Sequence, residues 1–249
     1  MEGVESALLF GEVAERISDG HALVLVHGGG PEIDAALAAR SLGSVRVEGL
    51  RVTDRRTLEV VEAVLCGTLN KRIVRGCLEA GIDAVGLSGQ DGALLTARKA
   101  GSSPACDLGY VGEIAFVRHQ LLLALLRAGF TPVVAPVAVS LDYAYALNVN
   151  ADTSAGAIAA ALGADALVML TDVPRVLRDP KNSSSGIDDF SVEQARDFAE
   201  SPGCQNSMRP KILAAANAVA GGVARAYICA AKPGAIQKAL AGDATVVRG

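Results

Sequence analysis

The stretch ALVLVHGGGP, residues 22–31, joins an apolar run directly to three consecutive glycines and a proline. A continuous apolar run bounded by glycine and proline is typical of a strand that is buried on both faces. Pro31 suits the first turn of a helix, and the carboxylates of Glu32 and Asp34 favour the positive end of that helix. We therefore predict a strand, a glycine turn and a helix in this order.

The three glycines are compatible with an anion-binding turn. Gly28, Gly29 and Gly30 have no Cβ, so their backbone N–H groups can lie close to a ligand. A helix that begins just beyond them favours a carboxylate or a phosphate. The spacing fits neither the Walker loop, which requires Gly-Lys-Ser/Thr, nor the dinucleotide-binding fingerprint. From the glycines alone, an anion site and a tight turn without a ligand are equal alternatives.

The composition is that of a globular chain with a sizeable core. Of the 249 residues, 51% are hydrophobic and only 4% are aromatic, and the net charge is −4 with no basic block. These values argue against a nucleic-acid partner. The five cysteines form no CxxC pair, which predicts reduced thiols. No signal peptide or membrane-spanning run is evident, so we expect a cytoplasmic protein.

Strand and helix patterns alternate along the rest of the chain. One long helix is predicted to begin at a cap formed by Thr53 or Asp54 and to end near Ala80. The alternation predicts an α/β fold with a mostly parallel sheet that helices cover on both faces. We expect two lobes, residues 1–145 and residues 146–249.

Ligands of such sheets bind at the loops beyond the carboxyl ends of the strands. Four of these loops carry polar residues, namely residues 27–30, 88–92, 148–152 and 171–175. Arg51 is suited to a two-pronged contact with a carboxylate. A surface ion pair is the alternative for this arginine.

Three polar residues alternate in the third of these loops. Asn148, Asn150 and Asp152 would share one face of an extended segment, while simple N-capping of a helix is the alternative. Lys211 follows Pro210 at a predicted helix start, where a cation is disfavoured unless an anion is bound there. A solvated lysine is the alternative.

The remaining polar candidates are less specific. Thr171 and Asp172 follow a predicted strand, where Asp172 is suited to a nucleotide or a metal, or is simply a turn residue. His27 is expected to be a buried, hydrogen-bonded structural histidine. No His, Asp or Glu cluster has the spacing of a metal site, so no protein-bound metal is predicted.

Together these segments resemble the amino acid kinase family, and within it the members that phosphorylate N-acetyl-L-glutamate. The matching segments are LVLVHGGGPEID, VEGLRVTDRRTLEVVEAVL, NKR, AVGLSGQDG, DLGYVGE, TPVVAPVAV, LNVNADTSAGAIAAALGADALVMLTDVP and MRPK. They occur in this order and cover nearly the whole chain from about residue 22. The resemblance implies an open three-layer αβα sandwich with a mostly parallel central sheet. It also implies that lobe 1–145 binds the acyl amino acid and pairs in a homodimer, and that lobe 146–249 binds ATP.

The implied reaction is the phosphorylation of the side-chain carboxylate of N-acetyl-L-glutamate, which forms an acyl phosphate for arginine biosynthesis. ATP would be the phosphoryl donor, and Mg²⁺ would be held by the nucleotide. Phosphoryl transfer of this kind needs two anions brought into line and their charge neutralised.

The resemblance also implies roles for individual residues. Gly29 and Gly30 would donate backbone N–H groups to the substrate, Arg51 would clamp its α-carboxylate, and Asn148 and Asn150 would hold it.

On the catalytic side, Asp152 would orient lysines and Lys211 would stabilise the transferring phosphoryl group. The residues implied in nucleotide binding are Thr171, Asp172, Val173, Pro174, Arg175, Val176, Leu177, Gly203, Cys204 and Gln205.

The sequence departs from the family pattern in several places. The family opens with a strand that carries Lys-x-Gly-Gly, whereas this sequence has no lysine before Lys71. A shortened start and a true loss are both open. Arg175 stands where the family usually has glycine, and Asn206 and Ser207 stand where it usually has two glycines. The extra N-terminal helix of the arginine-sensitive members is not found, so we expect no inhibition by arginine.

Two alternative functions stay open at this point. The first is a kinase for an aminoadipate derivative that is either N-acetylated or linked to an acidic carrier protein. Arg46, Arg55 and Arg56 would then form a basic rim for the carrier. The second is a non-catalytic family member that binds a ligand or a partner subunit.

Overall fold

The computed structural model describes residues 4–47, 49–101, 107–204 and 208–249. Within these ranges the helices are α1 (Val4–Ser18), α2 (Gly30–Ala38), α3 (Arg55–Glu62), α4 (Asn70–Glu79), α5 (His119–Arg127), α6 (Ala151–Leu162), α7 (Val192–Glu200), α8 (Arg209–Ala220) and α9 (Ala235–Leu240). The strands are β1 (Leu25–Val26), β2 (Arg46–Val47), β3 (Leu50–Arg51), β4 (Ala84–Ser88), β5 (Leu95–Lys99), β6 (Gly112–Val117), β7 (Thr131–Ala135), β8 (Val137–Ser140), β9 (Ala146–Asn148), β10 (Ala166–Thr171), β11 (Asp189–Ser191), β12 (Arg225–Ala230) and β13 (Thr245–Arg248).

The chain divides into two compact units. The first unit is Ala22–Ser154, and the second unit combines Met1–His21 with Ala155–Gly249. Helix α1 belongs to the second unit, where the buried carboxylate of Glu12 accepts a hydrogen bond from the backbone N–H of Gln237 at 2.6 Å. The assignment of ligands to lobes 1–145 and 146–249 stays a prediction.

The first unit contains a parallel three-stranded sheet in the order β1-β7-β4. All five residues of the middle strand β7 are buried, whereas both residues of β1 are only half-buried. The strand predicted before the glycine turn is therefore confirmed, but the prediction that it is buried on both faces is wrong. Among the described strands β1 lies at the edge of its sheet, so a neighbouring strand shields it on one side only.

A long helical segment follows β3, as predicted. Asp54 is its N-cap and accepts a hydrogen bond from the backbone N–H of Thr57 at 2.7 Å. The segment runs through α3 and α4 and ends near the predicted residue. Between these helices, Ala63–Leu69 forms a π-helix, which the apolar spacing did not predict. π-Helical turns are rare and occur frequently at functional sites.

The second unit shows the layers of an αβα fold. Strand β12 pairs in parallel with β10 and antiparallel with β13, which pairs in parallel with β11. Ala226 and Ile228 of β12 lie in the core cluster that contains the buried residues of α8, while Tyr227 and Cys229 lie in the cluster that contains α9. Because successive strand residues point to opposite faces, helices cover both faces of this sheet. The predicted α/β class with parallel strands and helix-covered faces is confirmed.

None of the cysteines in the described ranges is part of a disulfide. These cysteines are Cys66, Cys77, Cys204 and Cys229, and the fifth cysteine, Cys106, lies outside the described residues. Burial raises the pKa of Cys66 to about 12 and the pKa of Cys77 and of Cys229 to about 11, so these thiols are protonated at neutral pH. In the described part of the chain, no helix has both the length and the apolar character needed to cross a bilayer.

Two small residues let α6 and α8 approach each other closely. A Cβ built on Gly156 of α6 would lie 2.8 Å from the backbone oxygen of Ala214 in α8. Alanines fill the buried face of α8 around this contact. The close approach therefore depends on the absence of a side chain at Gly156.

We expect Gly156→Ala to lower the free energy of unfolding by about 1–3 kcal/mol, because the added methyl group would push the two helices apart. Gly11→Ala in α1 is the matched control. No atom lies within 4 Å of a Cβ at Gly11, so this change should raise the free energy of unfolding by about 0.5–1 kcal/mol. Urea denaturation measures both variants, and a Gly156→Ala protein as stable as the parent would contradict the packing argument.

Candidate functional site

The glycine turn lies between β1 and α2. Gly29 is the N-cap residue of α2, and Pro31 occupies its first turn, as predicted. A Cβ on Gly29 would lie 2.6 Å from a methyl carbon of Leu69 and 2.7 Å from one of Leu65, both on the π-helix. Packing therefore accounts for glycine at position 29. A Cβ on Gly30 would meet Arg46 at 3.5 Å, which is an ordinary contact, so packing does not account for glycine at position 30.

Arg51 is buried beside this turn. Its guanidinium Nη1 donates to a carboxylate oxygen of Asp34 at 2.5 Å and to the hydroxyl of Ser44, and its Nη2 donates to the carbonyl of Gly30 at 3.3 Å. Only 6% of the Arg51 side chain is exposed, so the alternative of a surface ion pair does not describe it. The hydrogen bond from Arg51 holds the pKa of Asp34 at about 2, below its ordinary value of 3.8.

A chain of hydrogen bonds connects Arg51 to Asn148. The side-chain amide of Asn148 donates to the hydroxyl of Thr53 at 3.1 Å, and that hydroxyl donates to the carbonyl of Arg51 at 2.7 Å. Thr53 is fully buried. Gly109 has a φ of +68° and a Cβ there would collide with the carbonyl oxygen of Thr53, so the 107–112 segment approaches Thr53 through a glycine.

The other two polar residues of the 148–152 segment lie at the start of α6. Asn150 accepts a hydrogen bond from the backbone N–H of Thr153 at 3.0 Å, which is the N-capping alternative stated for it. Asp152 is the second residue of α6. Because the segment passes from strand into helix between Asn148 and Asp152, the three side chains do not belong to one extended strand.

His27 is hydrogen-bonded, as predicted, but it is half-buried and not fully buried. Its Nδ1 lies 2.9 Å from the carbonyl oxygen of Gly28, and its Nε2 lies 3.2 Å from the amide nitrogen of Asn70. Burial lowers the pKa of His27 below its ordinary value of 6.5, against smaller raising effects of the Gly28 carbonyl and the Glu32 carboxylate.

The polar groups of the predicted loop 88–92 form hydrogen bonds within the protein. The carboxylate of Asp91 accepts hydrogen bonds from both the backbone N–H and the hydroxyl of Ser88, at 2.6 and 2.9 Å. The Gln90 amide donates to Glu62 at 2.9 Å. These bonds give the loop a structural role.

In the second unit, Thr171 ends β10 and Asp172 begins the loop that follows, and the Thr171 hydroxyl donates to the Asp172 carboxylate at 3.0 Å. The N–H of Val176 donates to the hydroxyl of Thr245 at 2.9 Å. The guanidinium of Arg175 pairs with Asp188 and with Asp243. These bonds fix the 171–177 loop, which also contains Val173, Pro174 and Leu177, to the segments around 188 and 245.

The remaining nucleotide candidates follow α7. A Cβ on Gly203 would lie 3.2 Å from the carbonyl oxygen of Arg178, which places Gly203 at the end of the 171–177 loop. Cys204 packs against the core of this unit, and Gln205 lies outside the described residues. Lys211 is the third residue of α8, as the sequence predicted, and it is half-buried.

Sequence reasoning missed several residues that build the site. Asp34 was interpreted as a charge at a helix end, but it is the partner of Arg51. Thr53 and Asn70 were not singled out for any role in the site, although both are fully buried polar residues. The only sequence signal for Asn70 is that it is a polar residue within an otherwise apolar helix face, and Thr53, which precedes α3, has no such signal. Within the described ranges, no three His, Cys, Asp or Glu side chains are close enough to hold a metal ion.

We expect Arg51→Lys to raise the pKa of Asp34 towards 3.8, because a lysine ammonium cannot contact Asp34, Ser44 and Gly30 together. The free energy of unfolding should fall by about 1–3 kcal/mol. Carboxyl NMR titration and urea denaturation measure the two effects. Arg55→Lys is the control, since Arg55 is 82% exposed and its partner Glu59 is 3.8 Å away. An unchanged Asp34 titration would refute the assigned contact.

The free energy of unfolding should fall as the pH drops below 6.5. The folded-state pKa of His27 is lowered, so as the pH falls the unfolded chain takes up a proton on His27 before the folded protein does. The stability that this histidine contributes above pH 6.5 is therefore lost as the pH falls towards its folded-state pKa. Urea unfolding between about pH 8 and about pH 5.5 measures the slope, above the range where carboxylates titrate. His27→Gln should reduce the slope of the free energy of unfolding against pH, whereas His21→Gln, at an exposed histidine, should preserve it. Equal slopes in the two variants would contradict the assignment of this pH dependence to His27.

The sequence is similar to acetylglutamate kinases from several organisms. It is 44% identical over 245 residues to the acetylglutamate kinase of Methanopyrus kandleri. This match covers 96% of this chain and 97% of that enzyme. It is 45% identical over 205 residues to the acetylglutamate kinase of a Synechococcus strain, where the match covers 82% of this chain but only 64% of the relative.

Solved structures show the same fold. An N-acetylglutamate synthase from Neisseria gonorrhoeae, in complex with coenzyme A and N-acetyl-glutamate, superposes with a TM-score of 0.85 at 26% identity; the match covers all of this chain and 57% of that one. A carbamate kinase from Giardia lamblia bound to AMP-PNP superposes with a TM-score of 0.72 at 15% identity over 98% of this chain and 88% of that one.

The sequence model of the amino acid kinase family matches residues 6–230. This range includes the glycine turn, the Arg51 and Asn148 cluster, the 171–177 loop and Lys211. The chain belongs to the amino acid kinase family.

Proposed function

We propose that the chain catalyses the ATP-dependent phosphorylation of the side-chain carboxylate of N-acetyl-L-glutamate, the acyl-phosphate step of arginine biosynthesis. The observation that carries this proposal is the 44% identity to an acetylglutamate kinase over 97% of that enzyme's length. Other similar acetylglutamate kinases are 41–46% identical over most of the chain. These names favour N-acetylglutamate over an aminoadipate derivative and favour a kinase over a non-catalytic protein.

Arg51 supports the substrate assignment. A guanidinium has five N–H groups, and the bonds to Asp34, Ser44 and Gly30 use three of them. The remaining two suit a carboxylate such as the α-carboxylate of an acyl amino acid. The bonds to Asp34 and Gly30 hold the guanidinium in place before the substrate arrives, so less entropy is lost on binding.

The glycine turn supports the proposal that an anionic or carbonyl group of the substrate binds at the start of α2. Since packing accounts for glycine at position 29 but not at position 30, close approach of a ligand is a reason for glycine at position 30. The N–H groups of Gly29 and Gly30 would then donate to the substrate at the positive end of α2. Asn148 and Asn150 complete the proposed substrate-binding set.

The second unit carries the proposed nucleotide residues. Lys211 lies in the first turn of α8, so its ammonium and the positive helix end favour the phosphates of ATP. Asp172 is exposed at the end of β10, where nucleotides bind in open α/β sheets. Thr171–Leu177, Gly203, Cys204 and Gln205 are the remaining proposed contacts. We assign Mg²⁺ to the phosphates of the nucleotide, with no dedicated set of protein ligands.

The proposed chemistry requires positioning and charge neutralisation. The substrate carboxylate attacks the γ-phosphorus of ATP, the bond to the β-phosphate oxygen breaks, and ADP leaves. Lys211 would stabilise the charge on the transferring phosphoryl group, and Asp152 is the proposed catalytic carboxylate. We further propose that the protein is a cytoplasmic homodimer that pairs through its N-terminal lobe, with N-acetyl-L-glutamate and ATP as its small-molecule partners.

A coupled assay of ADP release tests the function. We expect turnover that requires N-acetyl-L-glutamate, and trapping of the product with hydroxylamine should give a hydroxamate. N-acetyl-L-aminoadipate and free L-glutamate serve as competing acceptors. Turnover with aminoadipate derivatives alone would favour the first alternative, and ATP binding without turnover on any acceptor would favour the non-catalytic alternative.

Lys211→Met should lower kcat by about 10²–10³-fold, because one preorganised charge at the phosphoryl group is removed. The KM for N-acetyl-L-glutamate should change little, since this lysine is assigned to the nucleotide side. Lys238→Met, an exposed lysine in α9, is the matched control and should retain the parental kcat. An unchanged kcat in Lys211→Met would exclude the proposed role.

A further inference from the structure

Asn70 lies at the junction between the π-helix and α4, and its side chain reaches two strands of the first unit and the residue that follows β1. Its amide nitrogen lies 2.9 Å from the carbonyl oxygen of Val133 in β7 and 3.3 Å from that of Leu87 in β4. It also lies 3.2 Å from Nε2 of His27, the residue after β1. Asn70 is fully buried, and its contact with Val133 is buried as well, whereas the contacts with Leu87 and His27 are part-buried.

The orientation of the Asn70 amide follows from its partners. The ammonium of Lys71 can only donate, and it lies 3.1 Å from the Oδ1 atom of Asn70. The two strand carbonyls can only accept, so the NH₂ group must face them. The atom that faces His27 is therefore the amide nitrogen, which cannot accept a hydrogen bond and whose two hydrogens are shared among its three neighbouring acceptors.

This orientation determines the protonation of His27. Because Asn70 donates to Nε2, that nitrogen must be an acceptor, and the ring proton lies on Nδ1. Nδ1–H then donates to the carbonyl of Gly28, 2.9 Å away. Protonating Nε2 would place an N–H group against the Asn70 N–H group.

The glycine turn needs such a restraint. Strand β1 is two residues long, and the backbone N–H of His27, which donates to Val134 at 3.2 Å, is the last ladder bond before the turn. Glycine loses more conformational freedom on folding than any other residue, and three follow in succession. Leu65 and Leu69 limit the turn at Gly29, and the bond from His27 fixes the Gly28 carbonyl.

We propose that Asn70 is a positioning residue that holds His27 as the neutral Nδ1–H tautomer, and that His27 thereby fixes the Gly28 peptide and the direction of the Gly29 and Gly30 N–H groups. This rests on the proposed function only in that these N–H groups bind the substrate. Asn70 and His27 do not contact the reacting atoms, and their effect is on substrate binding.

The tautomer of His27 is measured without substrate. Long-range ¹H–¹⁵N NMR of the ring nitrogens separates Nδ1–H from Nε2–H, and with only three histidines in the chain, His21→Gln and His119→Gln complete the assignment. We expect the neutral Nδ1–H form in the parent. In Asn70→Asp the carboxylate accepts, so the proton should move to Nε2. Asn217→Asp, at an exposed asparagine of α8, is the control and should leave His27 unchanged.

Two His27 variants separate positioning from a purely structural role, and they cover the case in which Asn70→Asp does not fold. The Asn side chain in His27→Asn places an amide where Nδ1 lies and retains the donor to Gly28. The Gln side chain in His27→Gln places an amide where Nε2 lies and loses that donor. We expect the KM for N-acetyl-L-glutamate to stay within about threefold of the parent in His27→Asn and to rise about tenfold in His27→Gln, with kcat little changed in both.

The outcomes distinguish this proposal from the proposed function. An Nε2–H tautomer in the parent, or equal KM values in the two His27 variants, overturns the positioning role even if the enzyme is an acetylglutamate kinase. If the parent shows no turnover with N-acetyl-L-glutamate, the proposed function fails instead. The amide signals of Gly29 and Gly30 then decide the positioning role: a shift in His27→Gln but not in His27→Asn supports it, and no such difference overturns it.

Discussion

The first unit depends on one constraint, which is that polar groups removed from water need hydrogen-bond partners inside the protein. Arg51, Thr53 and Asn70 are all buried, and each connects segments that are far apart in the sequence. Arg51 joins β3 to α2, Thr53 joins β3 to Asn148, and Asn70 joins the long helical segment to β4, β7 and His27. Leaving any of these groups unpaired would lower the free energy of unfolding by more than its hydrogen bond contributes. The network therefore has few alternative arrangements.

Close backbone approach is the second organising feature, and it explains glycine at particular positions. Gly29 lies against two leucines of the π-helix, Gly109 lies against the carbonyl of Thr53, and Gly156 lies against α8. In each case the neighbouring atoms occupy the space of a Cβ. Gly30 differs, because its surroundings would admit a methyl group. This contrast separates glycine that packing requires from glycine that suits a ligand, which the sequence motif alone did not distinguish.

Local signals in the sequence were sufficient for several boundaries of the secondary structure. The Asp54 cap, the end of the long helical segment near residue 80 and the position of Lys211 in the first turn of α8 follow from neighbouring residues in the chain. The hydrogen bonding of His27 was also predicted correctly. The half-burial of β1, the π-helix and the carboxylate partners of Arg175 were not, because each depends on which distant segment lies alongside.

The sequence by itself determined the α/β class, the glycine turn and helix after the first strand, and the family, since periodicity, capping and motif order are properties of consecutive residues. Only the tertiary structure decided that Asp34 is the partner of Arg51, that Thr53 links Arg51 to Asn148 and that the Asn70 amide lies against Nε2 of His27. The physical reason is that a hydrogen bond depends on distance and direction in space. Asn70 and Val133 are 63 residues apart in the chain, and no local pattern records that their atoms lie 2.9 Å apart.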